Sequence, residues 1–209
     1  VHNKRLVCKL ARMPPARADH ASRREDVSAA VWQVLAEHGF GGLTLRAVAT
    51  AMGASTGLVT HYFAGKRELI AHALDILETR TTHRPRRAVP APGLPALRTH
   101  VLNILPLTPD AAAMNRIWLG SWDVALSDPD LFAAQAARYE RIRESLRECV
   151  ADAQELGQLP AGEPDHVAST VLSFTHGLVV QALFDPARFT AQRQTELTDG
   201  FLATLAVGR

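Results

Sequence analysis

Val27, Ala30, Val31, Val34 and Leu35 recur at three- and four-residue intervals, the repeat of a helix that buries one face, and Gly39 supplies the stop. Just ahead, Ser22-Arg23-Arg24-Glu25 fits a capping box, in which Ser22 and Glu25 satisfy each other's free amides, so the first helix is expected to open at Ser22. Thr44 offers a cap for a short helix with Leu45, Val48, Ala49 and Met52 on one face, ended by Gly53. Ser55 can cap a third short helix to about Tyr62, anchored by Leu58, Val59 and Phe63. A fourth begins near Lys66 and carries Leu69, Ile70, Ala73, Leu74 and Leu77.

The pattern then breaks. Pro85, Pro90, Pro92 and Pro95 make residues 84–95 a loop, since proline cannot continue a helix interior. Helical periodicity returns over about 96–105, 110–125, 127–156, 166–184 and 190–206, with Pro106, Pro109, Pro129 and Pro186 as punctuation. No segment alternates apolar and polar residues with the period of a strand. The expected fold is all-α with about nine helices: a basic arm (1–19), a three-helix head (20–65) and a larger helical domain (66–209).

Charge sharpens this division. Residues 1–87 hold 14 Lys and Arg against 7 Asp and Glu, whereas residues 88–209 hold 9 against 14. A basic N-terminal third on an acidic remainder is the asymmetry of a chain that meets a polyanion at one end. With 47% hydrophobic and 21% charged residues the composition is that of a globular domain. No run of eighteen apolar residues points to a membrane, and the N-terminus lacks an apolar stretch of leader length. Cys8 and Cys149 are too few for a disulfide framework or a four-ligand zinc site, so a reduced, cytoplasmic protein without membrane or cofactor is expected.

The chemistry concentrates in residues 39–69, GFGGLTLRAVATAMGASTGLVTHYFAGKREL. Two short helices joined at Gly53 fit a helix-turn-helix: Ala49 is small where the helices approach, and Gly53 tolerates the positive φ of a sharp turn. The second helix offers Ser55, Thr56, Gly57, Thr60 and His61 outward, small or hydrogen-bonding groups suited to base edges in a major groove. Gly39-Phe40, Thr44-Leu45-Arg46, Val48-Ala49, Gly53, Ser55-x-Gly57, Tyr62-Phe63, Lys66 and Leu69 together resemble the DNA-binding region of the TetR family of bacterial regulators. The run STGLVTHYF is similar to the BetI-like subset, which carries a small hydroxyl residue at the place of Thr60 where many members have tyrosine. The resemblance implies that Thr44, Tyr62 and Lys66 contact phosphates and that Thr56, Gly57, Thr60 and His61 face bases. Arg46 either joins the phosphate contacts or braces the fold, and Tyr62 and His61 have packing or solvent-exposed readings as alternatives. The basic arm adds DNA contacts or is an untethered tail.

Trp118 and Trp122 lie four apart and share a helix face, with Met114 and Ser121 nearby. Phe132, Ala136, Tyr139 and Leu146 form a stripe on the next helix, and Phe174, Leu178 and Gln181 one on the helix after. The resemblance implies an effector cavity among these helices, drawing on Met114, Trp118, Trp122, Asp123, Phe132, Tyr139, Phe174 and His176. The aromatic pair with Asp123 beside it suits a cationic or flat aromatic ligand; the alternative for each aromatic is ordinary core packing, and for Asp123 and His176 a place on a helix surface. Val167, Val171, Leu178 and Leu183, with Phe201, Leu202 and Leu205, give the last two helices wide apolar faces. The resemblance implies that these pair in a homodimer, which predicts a near-palindromic operator in double-stranded DNA.

An enzyme is the first rival class, yet HExxH, CxxC, a phosphate-cradling glycine loop and an aspartate-rich pair are all missing. A helical module that only binds protein is a second, disfavoured by the basic head. Within DNA binders, an activator and a nucleoid-type protein without sequence preference are further alternatives. The expected function is a sequence-specific transcriptional regulator, a repressor released from DNA by a small molecule.

Overall fold

The computed structural model describes residues 15–206, with side chains from Arg23 onward, and within them the architecture is nine helices and no strand. They are α1 (Pro15–Gly42), α2 (Leu45–Ala51), α3 (Thr56–Tyr62), α4 (Lys66–His83), α5 (Leu94–Ile104), α6 (Pro109–Leu126), α7 (Pro129–Glu155), α8 (Pro164–Phe184) and α9 (Ala191–Leu205). Helix α1 opens at Pro15, not at Ser22. Proline suits the first turn, where its missing N–H goes unused, and the alanine-rich residues that follow contain no breaker. Residue 22 is therefore inside the helix, and residues 15–19 of the expected arm are helical; the rest of the arm lies outside the described residues.

Gly39 interrupts α1 with φ 62° and ψ −169°, a conformation open almost only to glycine, and turns the chain toward Leu43. Thr44 caps α2, its Oγ1 accepting from the Ala47 amide at 3.0 Å. Gly53, at φ 60°, makes the turn into α3. Threonine or aspartate also caps α6, α7 and α9: Thr108 accepts from Ala111, Asp128 from Asp130 and Leu131, and Thr190 from Arg193. Like α1, helices α5 to α8 carry proline in their first turn.

Two cores organise the molecule. One gathers Val31, Leu35, Leu43, Val48 and Val59 of the head with Leu69 and Leu77 of α4, Ile117, Trp118 and Ala125 of α6 and Leu131 of α7. The other joins α5, α7, α8 and α9 through Leu97, Leu146, Val150, Val171 and Leu178. Helix α4 belongs to the first core, packing on α1 and α6, and is held at both ends. Near its start Arg67 Nε donates to Asp128 at 2.8 Å and its other arm meets Asp130; near its end Glu78 pairs with Arg138 at 3.3 Å and Arg141 at 3.0 Å on α7.

Among the described residues α8 alone is long and apolar enough to cross a membrane, with mean hydropathy 1.5 over eighteen residues. It packs against α5, α6, α7 and α9, so its apolar length serves a helical core. Val171, Leu178 and Leu202, expected to face a partner, are buried within this single chain. Ser173, Gly177, Gln181 and Phe184 form the exposed stripe of α8 instead, with Phe184 80% exposed.

Candidate nucleic-acid interface and effector cavity

Helix α3 is held by Val59 and Phe63, both buried, at the i, i+4 spacing that sets its inner face. Ser55, Thr56, Gly57, Thr60 and His61 are all exposed. Leu58 is exposed too, at 36%, and does not anchor the helix, because it lies about 100° around from Val59. An aliphatic side chain on that face is suited to a thymine methyl group. The Thr60 hydroxyl donates to the Gly57 carbonyl at 2.9 Å, which leaves its oxygen lone pairs for an outside donor.

Around this helix, Thr44 is exposed at the start of α2, and Lys66 is exposed at the start of α4. Tyr62 is half-buried and packs edge-on against the His61 ring at 5.8 Å. Arg46 is exposed, and among the described residues its side chain has no hydrogen bond or ion pair, so the bracing role has no partner here. The nine residues expected at DNA thus lie on the α2–α3 unit and the first turn of α4.

Behind the head, a cavity of about 380 Å³ lies between α4, α5, α6, α7 and α8. Met114, Trp118, Trp122, Tyr139 and His176 line it together. The other three expected residues do not. Asp123 is exposed, outside the lining; Phe132 points to solvent, 54% exposed; Phe174 stacks on Phe201 of α9 at 4.1 Å between centroids. Phe174 is half-buried and packs against the second core, away from the cavity.

Arginines, which no sequence pattern marks for the cavity, also line it. Arg138 lies over the Trp118 ring, 3.5 Å from its centroid, with its side chain only 16% exposed. Burial pulls its pKa down, although Glu78 opposes that shift. Arg84, Arg86 and Arg87 reach the lining from the proline-rich loop, and Arg141 from α7. Arg87 fixes this loop to α5: its guanidinium donates to the Leu102 carbonyl at 3.0 Å and its amide to Asn103 Oδ1 at 3.1 Å. His176 sits edge-on to Trp122 at 6.0 Å and to Tyr139 at 5.2 Å, and burial, aided by Arg138, holds its pKa down at about 4. His100 and Ser145, also in the lining, meet at 3.1 Å. Arginine at spacing 138/141 on a charged helix reads as a solvated face; only the packing of α7 against α5, α6 and α8, with both arginines paired to Glu78 of α4, turns it inward.

A helix-turn-helix head carrying exposed small polar residues, set on a helical body with a cavity, defines a ligand-accommodating DNA-binding regulator. Residues 28–73 match the bacterial regulatory proteins of the tetR family, and residues 95–207 match the C-terminal domain of BetI-type transcriptional repressors. The chain belongs to the TetR family of transcriptional regulators, with a C-terminal domain of the BetI type. It is similar to the regulator BetI of Burkholderia lata, 32% identical over 160 residues, covering 75% of this chain and 79% of that one. It is also similar to the regulator PksA of Bacillus subtilis (strain 168), 26% identical over 182 residues, covering 86% and 87%. A regulator from Saccharomonospora viridis, crystallised in complex with choline, shares the fold with a TM-score of 0.77, covering 90% of this chain and all of that one at 18% identity.

Proposed function

We propose that the protein is a homodimeric repressor that leaves its operator when a small molecule enters the cavity. The observation that carries this reading is the position of α4: its first turn adjoins the head, while Glu78, Thr81 and Thr82 near its end line the cavity. A ligand that displaces the end of α4 moves the head with it. In this reading Thr44, Arg46, Tyr62 and Lys66 meet phosphates, and Ser55, Thr56, Gly57, Thr60 and His61 face bases, with Leu58 beside them. The exposed stripe of α8, with Gly200, Ala203 and Thr204 of α9, pairs with its mate in a four-helix interface. Two α3 helices then occupy successive major grooves, roughly 34–36 Å apart, and the protein works in the cytoplasm, where its DNA is.

Release requires the ligand to bind the non-DNA-binding conformation more tightly; a tenfold loss of operator affinity needs about 1.4 kcal/mol of coupling. Selection of random duplex DNA by the purified protein at near-physiological salt, followed by sequencing, tests the first half. Enrichment of a two-fold symmetric site with half-sites one helical turn apart is expected. Salt-sensitive binding without enrichment would point to an architectural role instead, and no binding at all would end the repressor reading.

A further inference from the structure

We infer that the cavity takes an organic anion with a flat or apolar body, held by arginines, and that it rejects quaternary ammonium compounds. This rests on the effector reading above and names the ligand class of that site.

The first argument is charge. Five arginines line the cavity against one carboxylate, Glu78, and that carboxylate is already paired with both Arg138 and Arg141. Among the described residues Arg84, Arg86 and Arg87 meet no carboxylate. Arg84 is half-buried, and its pKa is drawn down first by burial and then by its neighbours Arg86 and Arg87. A cluster of like charges in a partly enclosed space is incomplete without an anion, and guanidinium forks bind carboxylates and similar oxyanions in paired hydrogen bonds.

The second argument concerns the aromatic residues. Ammonium ligands bind over the faces of indole rings. Here a face of Trp118 is already covered by the protein's own cation, Arg138. Trp122, the other indole, packs T-shaped with His176 at 6.0 Å, and Arg138 lies close enough to depress that imidazole. Asp123, the acid that would have balanced a cationic guest, is outside the lining. A bound cation therefore meets an occupied ring, an arginine and no free carboxylate, whereas an anion meets the guanidinium groups of Arg84 and Arg86, which no carboxylate neutralises among the described residues, and its body meets Ile104, Leu119, Ile142 and Val179.

Isothermal titration of the full chain with three probes of one shape tests this: 4-phenylbutyrate, 4-phenylbutanol and 4-phenylbutyltrimethylammonium. The carboxylate should bind about tenfold or more tighter than the alcohol, and the ammonium weakest of the three. Arg86→Gln, at an exposed position, and Arg84→Gln should each cut the carboxylate's advantage several-fold while leaving the alcohol unchanged. Ammonium or alcohol binding as tightly as the carboxylate would overturn the inference and leave the cavity reading intact. Failure of all three probes to bind would overturn the cavity reading itself. A carboxylate preference indifferent to both substitutions would remove the arginines from the role assigned to them.

Discussion

The indole N–H of Trp118 donates to the hydroxyl of Thr81 across 2.8 Å, and that bond ties α6 to the end of α4 from inside the cavity wall. Trp118 is buried, 8% exposed, and Thr81 is the partner of its N–H among the described residues. Thr81 in turn donates to the Leu77 carbonyl at 2.7 Å, which fixes its oxygen to receive the indole proton.

Thr81→Val should therefore leave a buried donor unpaired and lower stability by about 1–3 kcal/mol, whereas Thr81→Ser, which keeps the acceptor, should cost less. Urea unfolding followed by tryptophan fluorescence separates the two. Equal stability in both variants would mean that the contact contributes nothing.

Two head variants should behave differently on DNA. Thr60→Ala removes a group with free lone pairs on the face of α3 and should lower affinity for the selected operator more than for random duplex. Lys66→Ala should weaken both alike and flatten the salt dependence by roughly one ion. Gel shifts across a salt series measure both, and an equal loss on operator and random DNA for Thr60→Ala would remove that residue from base reading.

His176 predicts a stability slope in acid. Its pKa is about 4 when folded, below the ordinary 6.5 of the unfolded chain. Folding therefore requires the neutral ring: no penalty applies above pH 6.5, and stability falls as pH drops from 6.5 toward 4. His72 and His100 shift in the same direction, so His176→Gln should reduce the slope in that window without abolishing it. Thermal melts at several pH values check this against the unaltered chain.

Gly39→Ala should cost about 1–3 kcal/mol, all of it backbone strain, because a Cβ there meets no atom within 4 Å. Gly41→Ala, at a position with similar space and no positive φ, is the matched control in a denaturation series.

Most of the helices were legible because their signals are local. Thr44 caps where its hydroxyl predicted, Gly39 stops α1, and α6 to α9 end within a few residues of their punctuation. The start of α1 was misread because Ser22-x-x-Glu25 imitates a cap inside an uninterrupted helical run, and nothing in four residues records what precedes them. The cavity was only half legible. A spacing of four places Trp118 and Trp122 on one face, but it cannot say which neighbour that face meets. Phe132 and Phe174 have the same kind of spacing and go to solvent and to α9. The arginines were invisible for the opposite reason: their roles depend on a loop fastened at Arg87 and on the ion pairs that α7 makes with Glu78 of α4, both of which are tertiary.

The core of the head borrows Ile117, Trp118, Ala125 and Leu131 from beyond its own chain segment. Severed after residue 65, the head would present the sockets of those side chains, and of Leu69 and Leu77, to water. It is therefore not a detachable cassette. A chimaera that transplants its DNA specificity onto another body has to carry α4 along and supply a matching α6 ridge, so exchanges between relatives should succeed or fail at that seam before any base is read.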